Sequence, residues 1–88
     1  MAERLNILLI DDDAQFRAFL KMALPRGGVD AEVVESASLQ AGLDTMKEAT
    51  YDCVLIDFHL PDGDGLRFLE MMDHRHARST PVIVLTGV

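Results

Sequence analysis

The residues of this sequence with the clearest chemical potential are aspartates that follow directly after apolar runs. An aspartate triplet, residues 11–13, comes after the run Leu5–Ile10, and Asp57 comes after the run Cys53–Ile56. Carboxylates brought to one place repel one another unless a cation neutralises them, and Mg²⁺ takes oxygen ligands and needs only a few carboxylates. For the triplet taken alone, a helix cap followed by a solvated turn is an equal explanation, because aspartate is strongly favoured at caps.

The apolar runs predict strands that are buried on both faces, as in the centre of a parallel sheet. A further run, Val82–Leu85, is followed by Thr86. Ligands of open α/β sheets bind beyond the carboxyl ends of the strands, and parallel strands share that edge. We therefore expect Asp57, Thr86 and the triplet to lie together, which favours a cation site over a cap alone.

Helical spacing of apolar residues fills the segments between these strands. It predicts helices over Ala14–Leu24, from Ser38 to about Ala49, and from Gly65 to about Asp73, with a shorter strand over Ala31–Glu35. The β-α-β-α-β-α-β order predicts a parallel sheet with right-handed crossovers.

In the third helix, the spacing predicts which residues face the core. Leu66, Leu69 and Met72 fall at helical intervals and are expected to form the apolar stripe, with Phe68 widening it. The opposite side of this helix is expected to face solvent.

Composition predicts a single cytoplasmic domain. The sequence has 88 residues, of which 49% are hydrophobic, and one cysteine, Cys53, so that an intrachain disulfide is impossible. We expect neither a signal peptide nor a membrane span. The net charge of −7 argues against direct binding to nucleic acid or to an anionic membrane.

Four motifs resemble, in order and spacing, the receiver domains of two-component response regulators. They are Ile7–Asp13, Tyr51–Asp57, Leu60–Gly65 and Pro81–Gly87. The resemblance implies a flavodoxin-like, doubly wound sheet in a three-layer α/β/α arrangement with strand order 2-1-3-4. It also implies that residues 1–88 form the first two-thirds of a receiver, without the family's next helix, fifth strand with its terminal lysine, and last helix. Any effector domain would lie beyond them.

The resemblance also implies roles for individual residues. Asp57 would accept a phosphoryl group from a histidine kinase or histidine phosphotransfer protein and would not act as a turnover enzyme. Asp12 and Asp57 would bind Mg²⁺ directly, Asp11 would act mainly through a bound water, and the backbone carbonyl of His59 would be a further ligand. Thr86 resembles the switch hydroxyl that turns toward the phosphoryl oxygens.

Two alternative functions compete with phosphoryl acceptance. A truncated receiver could act without phosphorylation, as a protein–protein interaction or oligomerisation module that uses the exposed strand Val82–Leu85. An aspartate-nucleophile phosphatase is disfavoured, because His59 stands where such enzymes carry a second acid. A calcium loop around residues 62–65 is rejected, since it would place Leu60 and Met71 at its first and last ligand positions.

Overall fold

Strands and helices alternate along the residues that the computed structural model describes, which are 4–72 and 79–85. The elements are β1 (Leu5–Ile10), α1 (Ala14–Arg26), β2 (Ala31–Ser36), α2 (Leu39–Glu48), β3 (Cys53–Asp57), β4 (His59–Leu60), β5 (Gly63–Asp64), α3 (Gly65–Met71) and β6 (Val82–Leu85). Within these ranges, no helix is both long enough and apolar enough to cross a membrane.

The four longer strands form one parallel sheet in the order β2-β1-β3-β6. The predicted order 2-1-3-4 is therefore confirmed, with β6 as the fourth strand. The short strands β4 and β5 pair antiparallel in a separate hairpin between β3 and α3. The sequence did not predict this hairpin, because strands of two residues are too short to show an alternating pattern.

The main core lies on the face of the sheet that α2 and α3 cover. Alternate residues of β1 and β3 point to this face and pack against apolar side chains of the two helices. The buried residues of this cluster are Leu8, Ile10, Leu39, Leu43, Met46, Val54, Ile56, Phe68 and Met72. Gly42 allows α2 to approach closely, because a Cβ at this position would overlap the side chain of Ile10. The last residue of β1 is thereby fixed beside the helix.

The opposite face of the sheet is less completely covered. Ile7 and Leu9 of β1 are buried there, yet α1 has no fully buried residue. On β6, Ile83 is 50% exposed. The described residues therefore leave part of this face open near β6.

The apolar stripe predicted for α3 is wrong in two of its positions. Leu66 and Leu69 are 58% and 41% exposed, whereas Phe68 is completely buried and Met72 is 8% exposed. Gly65 begins the helix so close to β6 that an added Cβ would lie 3.1 Å from a methyl carbon of Val84. The side of α3 that carries Gly65 and Phe68 therefore faces the sheet, and Met72, the residue after the helix, is buried with them.

Candidate metal centre

Three carboxylates converge at the carboxyl edge of the sheet. Asp11, Asp12 and Asp57 each offer an oxygen, and these oxygens all lie within 4.8 Å of one another. The strand register explains the convergence, since Ile10 at the end of β1 lies opposite Ile56 in β3. Asp11 is buried, Asp57 is half-buried and Asp12 is exposed, so the cluster opens from the sheet toward solvent.

Three hydrogen bonds hold Asp11 in place, and its partners are the end of β2, α1 and the neighbouring Asp13. Its N–H donates to the carbonyl of Ser36 at the end of β2, at 3.0 Å. Its carbonyl accepts from Nη1 of Arg17 in α1 at 2.5 Å. Its carboxylate accepts from the backbone N–H of Asp13 at 2.8 Å. The position of Asp11 is therefore set before any ligand binds.

Burial and neighbouring charges make the ionised form of Asp11 unfavourable. Burial is the largest influence and raises its pKa; the bond from the Asp13 amide partly offsets this, and the nearby charges of Asp57 and Asp12 raise the pKa further. A cation at the cluster would remove much of this cost, because an opposite charge favours the carboxylate form.

The aspartate triplet divides between two roles. Asp13 is the N-cap of α1, and its Oδ1 accepts from the backbone N–H groups of Gln15 at 2.9 Å and Phe16 at 3.3 Å. Asp11 and Asp12 turn to the carboxylate cluster. The cap explanation therefore applies to Asp13, and the cluster explanation applies to the other two.

The remaining predicted site residues lie around and beyond Asp57. The Oδ1 atom of Asp57 accepts from the backbone N–H of His59 at 3.3 Å. The imidazole of His59 is exposed and meets the ring of Phe58 edge-on at 4.9 Å between centroids, so a role for this residue would fall to its backbone. Ligation by that carbonyl stays a prediction. Thr86 lies outside the described residues.

Arg17 and Lys21 direct their ion pairs to Glu35 and not to the carboxylate cluster. The Nε of Arg17 and the Nζ of Lys21 each lie 3.1 Å from a carboxylate oxygen of Glu35. These bonds, that of Lys21 more than that of Arg17, lower the pKa of Glu35. In residues 4–72 and 79–85, no salt bridge reaches Asp11, Asp12 or Asp57. The oxygen donors and their unbalanced charge fit a hard divalent cation such as Mg²⁺.

Sequence reasoning did not assign roles to Asp62 and Asp64. Asp64 is the N-cap of α3, and its carboxylate accepts from the Arg67 amide at 2.8 Å. An aspartate directly before a helix is a recognised signal for such a cap. Asp62 accepts from backbone amides of α2. No local sequence pattern predicts a bond to a partner so far away in the sequence. Both carboxylates serve as helix caps, in agreement with the rejection of a calcium loop.

Substitution of Asp12 by asparagine is expected to raise the melting temperature of the metal-free protein by a few degrees. The reason is that one of three mutually repelling charges is removed. The same change should weaken Mg²⁺ binding at least about tenfold, since one of the three clustered carboxylates is lost. Thermal melts and Mg²⁺ titration measure the two effects, and Asp13→Asn is the matched control because asparagine preserves its cap. Unchanged Mg²⁺ affinity in Asp12→Asn would exclude Asp12 as a ligand.

The sequence was compared with protein families and with known proteins, and the matches agree on one family. A model of the family described as the response regulator receiver domain matches residues 7–88. Among curated proteins, the KDP operon transcriptional regulatory protein KdpE of Escherichia coli (strain K12) is 38% identical over 82 residues, which are 93% of this chain and 35% of that protein. The chain thus spans about a third of the length of such relatives.

Solved structures resemble the fold over almost the whole chain. A CheY-like response regulator receiver domain protein from Methanospirillum hungatei JF-1 gives a TM-score of 0.79 at 28% identity, over 98% of this chain and 66% of that one. The MaeR response regulator bound to beryllium trifluoride gives 0.78 at 27% identity, over 96% and 68%. The predicted flavodoxin-like fold is confirmed by these neighbours and the observed strand order.

Proposed function

The chain belongs to the response regulator receiver domain family, and from this premise we propose that Asp57 accepts a phosphoryl group in a Mg²⁺-dependent reaction. The donor would be a histidine kinase or a histidine phosphotransfer protein. The observation that carries the proposal is the convergence of the Asp11, Asp12 and Asp57 carboxylates within 4.8 Å at the sheet edge. The protein would act in the cytoplasm, where its single cysteine stays reduced.

The positions of the residues and the resemblance to the family support the proposed roles. A carboxylate oxygen of Asp57 attacks the phosphorus, a P–O bond forms, and the P–N bond to the donor imidazole breaks, leaving an acyl phosphate. The bond from the His59 amide orients the Asp57 carboxylate. Asp11, Asp12, Asp57 and the carbonyl of His59 would hold Mg²⁺. The bound ion would offset the negative charge of the carboxylates and the phosphoryl oxygens.

We assign the conformational switch to Thr86, which follows β6 in the sequence. The residue before it, Leu85, accepts at its carbonyl a hydrogen bond of 2.9 Å from the amide of Phe58, the residue after Asp57. A hydroxyl in this part of the chain could bond to the phosphoryl oxygens and link the state of Asp57 to β6. The bond between Phe58 and Leu85 supports this assignment.

Phosphorylation by a small acyl phosphate tests the proposal in the full-length protein. With acetyl phosphate and Mg²⁺, intact-mass analysis should show one added phosphoryl group that hydroxylamine removes, and peptide mapping should place it on Asp57. A chelator should suppress the reaction. The likeness to MaeR supports this expectation, because its beryllium trifluoride ligand imitates a phosphoryl group. A full reaction without divalent cation, or label on another residue, would contradict the proposal.

A second candidate function is an interaction module that pairs through β6. Among the described residues, β6 pairs with β3 on one side only, and Ile83 is half-exposed. An apolar edge strand of this kind invites pairing with another chain. In this candidate function the protein is not phosphorylated and acts by pairing with another chain, or with a second copy of itself, through β6.

Residues 1–88 alone are expected to self-associate or to melt without cooperativity. Each Å² of apolar surface that stays exposed loses about 25 cal/mol of stabilisation. A few hundred Å² therefore cost an energy close to the whole stability of a small domain. Sedimentation at micromolar concentration measures the association, and Ile83→Lys should shift it toward monomer because a charged edge residue disfavours strand pairing. A monomeric, cooperatively melting protein of these residues would reject the expectation.

A further inference from the structure

Asp62 connects two parts of the protein that are far apart in the sequence. It lies between β4 and β5, in the segment that follows Asp57. Its Oδ1 accepts from the backbone N–H of Leu39 at 2.8 Å, and its Oδ2 accepts from that of Gln40 at 2.9 Å. Both carboxylate oxygens therefore bind the first turn of α2.

The helix already has a cap of its own. Ser38 is the N-cap of α2, and its Oγ accepts from the backbone N–H of Ala41 at 3.1 Å. A serine cap is sufficient to start a helix locally. The two bonds of Asp62 are added to this cap, and they differ from it because they join the helix to a separate segment. They also lower the pKa of Asp62, the bond from Gln40 more than that from Leu39, so the carboxylate is charged at neutral pH.

The helix end to which Asp62 is bound is packed into the core. Leu39 is 2% exposed and belongs to the main core. The loop lies directly on it, since a Cβ added at Gly63 would come within 2.9 Å of the Leu39 side chain. Asp62 and Gly63 thus fasten the middle of the loop to a helix that is packed on the sheet.

The two ends of the same loop lie beside the carboxylate cluster. The N–H of Gly65 donates to the carbonyl of Phe58 at 3.1 Å, and His59 pairs with Asp64. The N–H of His59 donates to the Asp57 carboxylate. A shift of this loop would therefore move the amide that orients Asp57 and the carbonyl of His59.

We propose that Asp62 is a positioning residue for the metal centre, which holds the loop of residues 58–64 against α2 and thereby fixes His59 and the Asp57 carboxylate. The inference rests on the proposed function for its effect on Mg²⁺, but the restraint of the loop is independent of that function. Asp62 acts from the side of the loop that faces away from the metal centre, and its own carboxylate accepts from the α2 amides.

A comparison of Asp62→Ala with Ser38→Ala in the full-length protein tests this role. Both changes remove capping bonds from the first turn of α2, but only the first releases the loop. Asp62→Ala is expected to weaken Mg²⁺ binding about tenfold, as removal of a supporting residue does, and to slow phosphorylation by acetyl phosphate. Ser38→Ala should leave Mg²⁺ affinity within about twofold. Asp62→Asn keeps one acceptor oxygen and should therefore lose less Mg²⁺ affinity than Asp62→Ala.

Amide hydrogen exchange in the metal-free protein gives a readout that does not depend on activity. Asp62→Ala should accelerate exchange at Leu39 and Gln40 and also at His59 and Gly65 across the loop. Ser38→Ala should accelerate exchange at Ala41 without affecting the loop amides. If Asp62→Ala does not fold, the Asp62→Asn variant carries the same comparison, with smaller effects in the same direction.

The outcomes separate this inference from the proposed function. If the wild-type protein neither binds Mg²⁺ nor accepts a phosphoryl group, the proposed function fails, while the exchange data still decide whether Asp62 restrains the loop. The inference is overturned if the wild type is active but the Asp62 variants match Ser38→Ala in the exchange rates of the loop amides and in Mg²⁺ affinity. Asp62 is then only a second helix cap.

Discussion

Replacement of Asp57 by asparagine is expected to abolish phosphoryl incorporation into the full-length protein. Asparagine has almost the same shape, and its side-chain oxygen can still accept from the His59 amide, as Oδ1 of Asp57 does. It lacks the carboxylate nucleophile from which an acyl phosphate forms. Intact-mass analysis after incubation with acetyl phosphate and Mg²⁺ should show one phosphoryl group on the wild type and none on Asp57→Asn.

Two further measurements show whether this loss is specific. Asp44→Asn removes a carboxylate from the exposed side of α2 and should leave incorporation unchanged. The melting temperature of metal-free Asp57→Asn should equal or exceed that of the wild type, because a repelling charge has left the cluster. A phosphoryl group that persists in a folded Asp57→Asn variant would place the acceptor at another residue.

Replacement of Phe68 by alanine is expected to cause a loss of about 3–5 kcal/mol in the free energy of unfolding. Phe68 is completely buried and packs in the core between α3 and the sheet, so the change leaves a cavity and forfeits the transfer energy of the ring. Since small domains are stable by about 5–15 kcal/mol, the variant should be close to unfolded at moderate temperature. Urea denaturation measures the loss.

Leu66→Ala is the matched control for this experiment. Leu66 lies two residues earlier on the same helix and is 58% exposed, so its removal should change stability by no more than about 0.5 kcal/mol. Both changes remove a large apolar side chain and leave alanine, so helix propensity contributes little to the difference. Equal losses for the two variants would show that the packing of α3 is not as described here.

The sequence by itself predicted the order of the three helices and the four longer strands, and the location of the candidate site. The strands β1 and β3 are continuous apolar runs, and such local patterns are visible without any knowledge of the fold. Once the strands are known to be parallel, their carboxyl ends must share an edge. These two facts place Asp11 and Asp57, separated by 46 positions in the chain, at one edge of the sheet. Their proximity also needs β1 and β3 to be neighbours, which only the family resemblance implied, and the structure brings their carboxylate oxygens within 4.8 Å.

The tertiary structure decided which of several equivalent residues serves which purpose. Nothing in the composition of the triplet shows that Asp13 caps α1 while Asp11 and Asp12 turn to Asp57. Helical spacing allowed Leu66 to face the core, but in the structure Gly65 lies so close to Val84 that an added Cβ would be 3.1 Å from a methyl carbon, and Phe68 faces the core instead.

The roles of Asp62 and of the hairpin β4–β5 were likewise set by contacts between distant residues. Asp62 binds amides 22 and 23 positions away, and local periodicity carries no information about such a partner. Local patterns report the conformation that a segment prefers and the faces that it can bury. Which face is buried, and which carboxylate meets which amide, depends on the packing of whole elements, and only the folded chain fixes that packing.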